Sequence, residues 1–159
     1  DIDSLPLDEA AAPWVLEGFV SFAKEVSAIV ARNEKGETCV FEPAENVHKE
    51  GILATSSVPA AIAEDTAEEA AGLAVKIAAA LEVVGLLAVE FFMLPSGSLV
   101  VNELAPRPHN SGHWTMNGAM TCQFEQHIRA VCGLPFGNPA RLHPTQMINL
   151  IGEDVKRWK

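Results

Sequence analysis

Two glutamates and one short loop carry most of the reactive potential of this chain. Glu90 and Glu103 lie in two apolar runs, Leu86 to Leu94 and Leu99 to Leu104, joined by Pro95-Ser96-Gly97-Ser98. If Ser96-Gly97 forms the tip of a hairpin turn, Leu94 faces Leu99 and Glu90 faces Glu103. Carboxylates directly opposite each other stand about 4.5 to 5.5 Å apart at Cβ and destabilise a strand pair, and apolar surroundings add to the cost of ionising them. A cation between them, a shared proton or neighbouring basic groups would offset that cost. A hard divalent ion fits best, because magnesium characteristically takes one or two carboxylates and completes its shell with phosphate oxygens. The plainer alternative is a solvated pair on an open sheet face, and a one-residue slip of the turn would remove the pairing.

Directly after the Glu103 strand comes Arg107-Pro108-His109-Asn110-Ser111-Gly112-His113. The prolines narrow the backbone, while Arg, His, Asn and Ser supply several donors and a titratable ring. A guanidinium suits carboxylate, bicarbonate or phosphate. The alternative is a hydrogen-bonded structural loop. Zinc is disfavoured, since no cysteine accompanies His109 and His113 and no HExxH helix is present. Glu17 and Glu25 could accept hydrogen bonds from a ribose or a purine, or simply face solvent, and His48 falls in an irregular stretch. No Ser-His-Asp or Cys-His nucleophile pattern emerges.

These residues need a scaffold. Val15 to Val20 reads as a strand, and Val26 to Arg32, the turn Asn33 to Gly36 and Thr38 to Phe41 read as a hairpin. Pro43 to Pro59 is irregular. Thr66 with Glu69 forms a capping-box signature opening a helix through Leu81, with Gly85 as its stop. A second helix from about Ala119 carries Met120, Phe124, Ile128 and Val131 on one apolar face and ends at Gly133-Leu134-Pro135. Residues 136 to 144 look like a linker, and Gln146 to Ile151 is a strand whose partner need not lie in this chain. The order predicts an α+β layer with a mainly antiparallel sheet. No Gly-rich turn of the dinucleotide-binding type follows a strand.

The 159 residues, 48% of them hydrophobic, suffice for one core. The 21 acidic against 11 basic residues, a formal charge of −10, argue against nucleic acid as a partner. No apolar run reaches bilayer length and Asp1-Ile2-Asp3-Ser4 does not resemble a signal peptide, so the expectation is a cytoplasmic protein. Cys39, Cys122 and Cys132 lack zinc-like spacing and are expected in or near the core.

The run Asn102 to Trp114, with Gln123-Phe124-Glu125-Gln126-His127, Gly133-Leu134-Pro135, Glu17 to Val20, Asn46-Val47-His48 and Met147 to Gly152, resembles the N5-carboxyaminoimidazole ribonucleotide synthase family of ATP-grasp ligases. The resemblance covers about Val15 to Gly152. It implies ATP and Mg2+ as cofactors, with bicarbonate and aminoimidazole ribonucleotide as the other small-molecule substrates. Glu17, Gly18, Phe19 and Val20 would hold adenine, Glu25 the ribose, and His48 a further nucleotide position. Glu90 and Glu103 would bind the metal, with Asn102 beside the phosphates. Arg107, His109, Asn110 and Ser111 would meet bicarbonate, the carboxyphosphate intermediate and the imidazole. Related ATP-grasp carboxylases have Asn two residues after the second acid, where Ala105 stands here, which favours the purine branch over a biotin-dependent carboxylase. A non-catalytic nucleotide-binding module is the third reading. The resemblance also implies a division into a lid remnant (1–14), the main ATP-grasp subdomain (15–136) and a linker opening a further domain (137–159). It implies that the chain is a piece of a longer enzyme, inactive alone, that could form a homodimer at full length.

Overall fold

The computed structural model describes residues 15 and 17–157. One seven-stranded sheet runs β6-β5-β1-β3-β4-β7, with β2 added to β1, and every strand pair is antiparallel. The strands are β1 (Lys24–Arg32), β2 (Thr38–Val40), β3 (Ala44–Lys49), β4 (Ile52–Val58), β5 (Gly85–Met93), β6 (Leu99–Ala105) and β7 (Thr145–Ile148). The helices are α1 (Glu64–Ala80), the single turn α2 (Thr115–Gly118) and α3 (Gln123–Val131). This is the α+β, mainly antiparallel architecture expected. Among the described residues no helix is long and apolar enough to cross a membrane.

Strand alternation divides the sheet into two chemically different faces. Val26, Ala28 and Val30 of β1, with Leu87, Val89 and Phe91 of β5, pack under α1, which meets them with Ala70, Ala74 and Ala78. Alanine at this four-residue spacing lets the helix axis approach the sheet closely. On the other face Ile29, Ala31, Leu86, Ala88, Ala44, Val58 and Ala105 form a second core, covered by Trp114 and Phe41. These two rings meet edge-on at 6.3 Å and 84°. Burying each large side chain contributes about 1.5–3 kcal/mol. Continuing along the same strands on that second face, apolar residues give way to Glu25, Ser27, Asn46, Glu90 and Glu103. This face is therefore half core and half polar floor.

Several local expectations are corrected. Residues 17–20 form no strand: β5 already has β1 and β6 as its two neighbours, and β propensity without a ladder partner makes no strand. The stretch 43–59 is a hairpin, β3 with β4, and its two turn residues Glu50 and Gly51 both have positive φ, at 53° and 75°. Such turns are normally announced by Asn-Gly or Asp-Gly, so Glu-Gly gave little warning. Helix α1 begins at Glu64 with Ala63 as an N-cap lacking a side-chain bond, so Thr66 and Glu69 are interior; Glu64 and Asp65 complement the helix N-terminus by charge instead. Gly85 opens β5 rather than stopping α1. The strand after residue 144 has its partner in this chain, since β7 pairs with β4, and Ala119 bridges Arg141. The segment 136–144, expected as a linker, is held to the rest of the fold by that bridge, by Gly137 bonded to Gln126 and by Arg141 donating to Glu42 at 2.7 Å. Cys39 is buried, its thiol pushed up to about 11 by desolvation, whereas Cys132 is exposed.

Candidate active site

The polar half of the sheet face collects the singled-out acids. In register, Ser27 of β1 faces Glu90 of β5, and Glu90 faces Glu103 of β6. On the other side of β1, Glu25 faces Asn46 of β3. The opposition of Glu90 and Glu103 arises differently from the simple turn argument. Next to the turn the pairs are Met93 with Leu99 and Phe91 with Val101, one residue off the expected register. A bulge at Asn102 then restores the pairing of Glu90 with Glu103. A bulge sets two residues against one, so Asn102 and Glu103 together oppose Glu90.

Glu90 experiences the predicted conflict. Burial, and then the neighbouring Glu103 carboxylate, hold its carboxyl above the usual range; Glu25 adds to this and His48 partly counters it. His48 Nδ1 lies 2.8 Å from Glu25 Oε2. His109 Nε2 lies 3.7 Å from Glu90 Oε1. Burial and the Arg107 guanidinium lower the His109 pKa, with His113 and His48 adding and Glu103 opposing. Glu103 and His48 therefore act on both Glu90 and His109, with Glu25 adding to the first and Arg107 and His113 to the second.

The loop after β6 owes its shape to its own polar groups. His109 Nδ1 accepts from the Ser111 backbone N–H at 3.4 Å and lies 2.9 Å from Ser111 Oγ. Because a backbone N–H can only donate, Nδ1 is the unprotonated nitrogen and the neutral ring carries its proton on Nε2, the atom nearest Glu90. Ser111 is fully buried. Asn110 Oδ1 is buried without a hydrogen-bond partner, and a buried acceptor of that kind normally costs about 1–3 kcal/mol. Arg107 is exposed, its Nη1 donating to the Pro108 carbonyl at 3.1 Å.

Two open clefts flank the acids. One, of about 360 Å³, is lined by Phe22, Lys24, Glu25, Asn46 and His48 among others. The other, of about 260 Å³, brings Glu17, Gly18 and Val20 beside Phe92, Val100 and Asn102. Phe22 stacks on Phe92 at 4.4 Å with the rings 7° from parallel. Phe19 is 95% exposed and lines neither cleft. Sequence reasoning missed Phe22 and Phe92 as walls of the site. Phe92 follows Glu90 by two residues and so shares its face, a signal that was available; Phe22 sits outside any strand and gave none.

For a metal, two opposed carboxylates, one of them desolvated, are a suitable pair of hard oxygen donors. Among the described residues no group of three or more His, Cys, Asp or Glu could hold an ion by itself. A magnesium ion held by the two carboxylates would take its remaining ligands from phosphate and water oxygens.

Comparison with known proteins agrees with this architecture. The family model described as the ATP-grasp domain matches residues 4–124. The chain belongs to the ATP-grasp family. Within that family it is 57% identical, over 92% of its own length and 40% of the relative's, to the N5-carboxyaminoimidazole ribonucleotide synthase of Brucella melitensis biotype 1. An ADP complex of an N5-carboxyaminoimidazole ribonucleotide synthetase superposes with a TM-score of 0.82 at 50% identity, covering 87% of this chain and 37% of that one. The Aspergillus clavatus N5-carboxyaminoimidazole synthase, solved with ADP and 5-aminoimidazole ribonucleotide, gives a TM-score of 0.81 at 33% identity over 84% of this chain and 36% of that one. This ATP-grasp chain thus spans about 40% of the length of the curated relatives it matches.

Proposed function

We propose that the polypeptide carrying this chain is an ATP-dependent carbon–nitrogen ligase that carboxylates 5-aminoimidazole ribonucleotide with bicarbonate through carboxyphosphate, giving N5-carboxyaminoimidazole ribonucleotide. The observation that carries the reading is the opposition of Glu90 and Glu103 with His109 Nε2 at 3.7 Å from Glu90. That geometry supports reading the loop as an anion site set against an acid pair that would hold a cation. The names of the relatives and the bound ADP and aminoimidazole ribonucleotide of the Aspergillus clavatus structure support the substrate assignment.

A bicarbonate oxygen attacks the γ-phosphorus of ATP, and the bond to the bridging oxygen breaks with ADP as leaving group. The exocyclic amine then attacks the carbonyl carbon of carboxyphosphate, phosphate leaves, and the amine gives up a proton. The catalysis is chiefly positioning and charge stabilisation. Glu17, Gly18 and Val20, with Phe19 in the same segment, would hold the adenine, and Glu25, oriented by His48, the ribose. Asn102 would lie beside the phosphates. Glu90 and Glu103 would hold Mg2+, which would supply charge neutralisation on the transferring phosphoryl group. Arg107 pairs with the bicarbonate-derived anion, and neutral His109 donates from Nε2 to it. Asn110 offers its unpartnered carbonyl to the amine donor, and Ser111 locks the His109 ring. The partners are small molecules, and the full-length protein is proposed as a cytoplasmic enzyme that can form a homodimer.

The test is release of phosphate from Mg-ATP by the natural full-length polypeptide. Release that requires both bicarbonate and aminoimidazole ribonucleotide is expected. Release indifferent to the ribonucleotide, or stimulated by biotin instead, overturns the assignment.

A further inference from the structure

Helix α3 turns two glutamines, not its apolar stripe, toward the body of the protein. Gln123 and Gln126 are both 0% exposed. A buried carboxamide offers two N–H donors and an acceptor oxygen, and each of these two exchanges one donor and one acceptor bond with a single backbone residue, while Gln126 Nε2 also donates to Cys39 Sγ at 3.2 Å. Gln126 Oε1 accepts the Gly137 backbone N–H at 3.0 Å, and its Nε2 donates to the Gly137 carbonyl at 2.7 Å. Gln123 Oε1 accepts the His109 backbone N–H at 3.0 Å, and its Nε2 donates to the His109 carbonyl at 2.7 Å. Each side chain imitates the double exchange between residues paired across a sheet. Their targets differ: Gly137 follows the helix, whereas His109 faces Glu90.

The grip on His109 is closed by further bonds. The Gln123 backbone N–H donates to Thr115 Oγ1 at 3.0 Å, and Thr115 Oγ1 donates to the Gly112 carbonyl at 2.6 Å. A Cβ on Gly112 would lie 2.6 Å from Gln123 Oε1, so only glycine leaves room for the clasp. Bonds to both backbone groups of one residue define its place and tilt, and Ser111 then fixes the ring. With the clasp gone, nothing else described holds the His109 backbone N–H or carbonyl except the short 3-10 turn bond from Gly112 at 3.0 Å.

We propose that Gln123 is a positioning residue for the reaction: by clasping the His109 backbone it keeps the imidazole Nε2 aimed at the Glu90–Glu103 pair. This rests on the proposed function, in which His109 meets the bicarbonate-derived anion. Gln126, with the same chemistry, burial and helix, is the internal control.

The experiment compares Gln123→Leu, Gln126→Leu and Gln123→Glu in the natural full-length polypeptide, by phosphate release dependent on bicarbonate and aminoimidazole ribonucleotide. Gln123→Leu is expected to lower kcat on the order of 100-fold, the scale set by an ångström of misplacement, with KM for ATP within about threefold. Gln126→Leu is expected to stay within about threefold of the parent kcat per folded molecule. A kcat retained in Gln123→Leu, or lost equally in both leucine variants, overturns the proposal. If Gln123→Leu does not fold, Gln123→Glu decides: a protonated carboxyl offers the same donor and acceptor, so its kcat relative to the parent must climb as pH falls. A ratio flat with pH overturns the proposal. A parent protein without ribonucleotide-dependent release overturns the proposed function itself, a result in which the variants play no part.

Discussion

Glu90 on β5 and Glu103 on β6 are direct cross-strand partners, and they are so because Asn102 is bulged out of the register that the turn establishes. Without that bulge Glu90 would face Asn102, and the acid pair would not exist. Two carboxylates set face to face, with Glu90 desolvated by burial and Glu103 exposed beside it, form a site that favours a cation.

Glu103→Gln should therefore remove Mg2+-dependent nucleotide binding while leaving metal-independent binding intact. A loss of at least about tenfold in affinity, equivalent to about 1.4 kcal/mol, is expected from titration calorimetry with Mg-ADP. Equal affinity of parent and variant with magnesium present would refute the metal role.

The same conflict predicts a pH dependence. Burial, and then Glu103, raise the Glu90 carboxyl above its unfolded value. A raised acid contributes stability that is fully present below the unfolded pKa and is lost as pH rises through the folded one. The metal-free protein should thus weaken over that rise, and Glu90→Gln should flatten the slope. Urea titrations between about pH 4 and 8 would show it. Binding of Mg2+ should run the opposite way, weakening as pH falls through the raised value, because the ion requires the deprotonated acid.

Glu25 and His48, 2.8 Å apart, predict a coupling in ligand binding rather than in stability. Both side chains are about one-fifth to one-quarter exposed, so the pair itself should contribute less than about 1 kcal/mol to folding. Glu25→Gln and His48→Ala should each weaken ADP binding about tenfold, and the double variant should lose much less than the sum, since His48 acts by orienting Glu25. Strict additivity in a double-mutant cycle would show that the two act independently.

Gly112→Ala should destabilise the protein by roughly 1–3 kcal/mol, as overpacking of a dense core does. The new Cβ would lie 2.3 Å from Ile29 Cδ1 and 2.6 Å from Gln123 Oε1. Gly72→Ala is the comparison, because a Cβ there meets nothing within 4 Å, and it should be neutral or slightly stabilising. Thermal unfolding of the two variants side by side tests the contrast.

Much of the scaffold was legible because hydrophobic periodicity and turn chemistry are local. The hairpins β1–β2 and β5–β6, helix α1 and the α+β class all followed from spacing. The β3–β4 hairpin did not, because its turn uses Glu50 in a conformation that glutamate rarely adopts. Helix α3 ends where expected but starts at Gln123 rather than near Ala119, which is extended and leaves Met120 outside the helix, and its inward side was not foreseen. Met120, Phe124, Ile128 and Val131 are 60, 39, 55 and 47% exposed, while Gln123 and Gln126 are buried. A periodicity argument assumes that apolar residues face inward, and it fails where buried amides find backbone partners supplied by distant loops.

Chain order alone puts two acids in adjoining strands, an Arg-His-Asn-Ser loop after them and a mainly antiparallel sheet beneath both. These are matters of chain order and alternation, set by neighbours a few residues apart. Long-range packing was needed to bring Glu25 and His48 to the acids from other strands and to stack Phe22 on Phe92 beside them. The same packing lets Gln123 hold His109 from a helix 14 residues further on. Those contacts depend on how strands are ordered across the sheet and which loop a buried amide reaches, and both are settled by the packing of segments far apart in the chain.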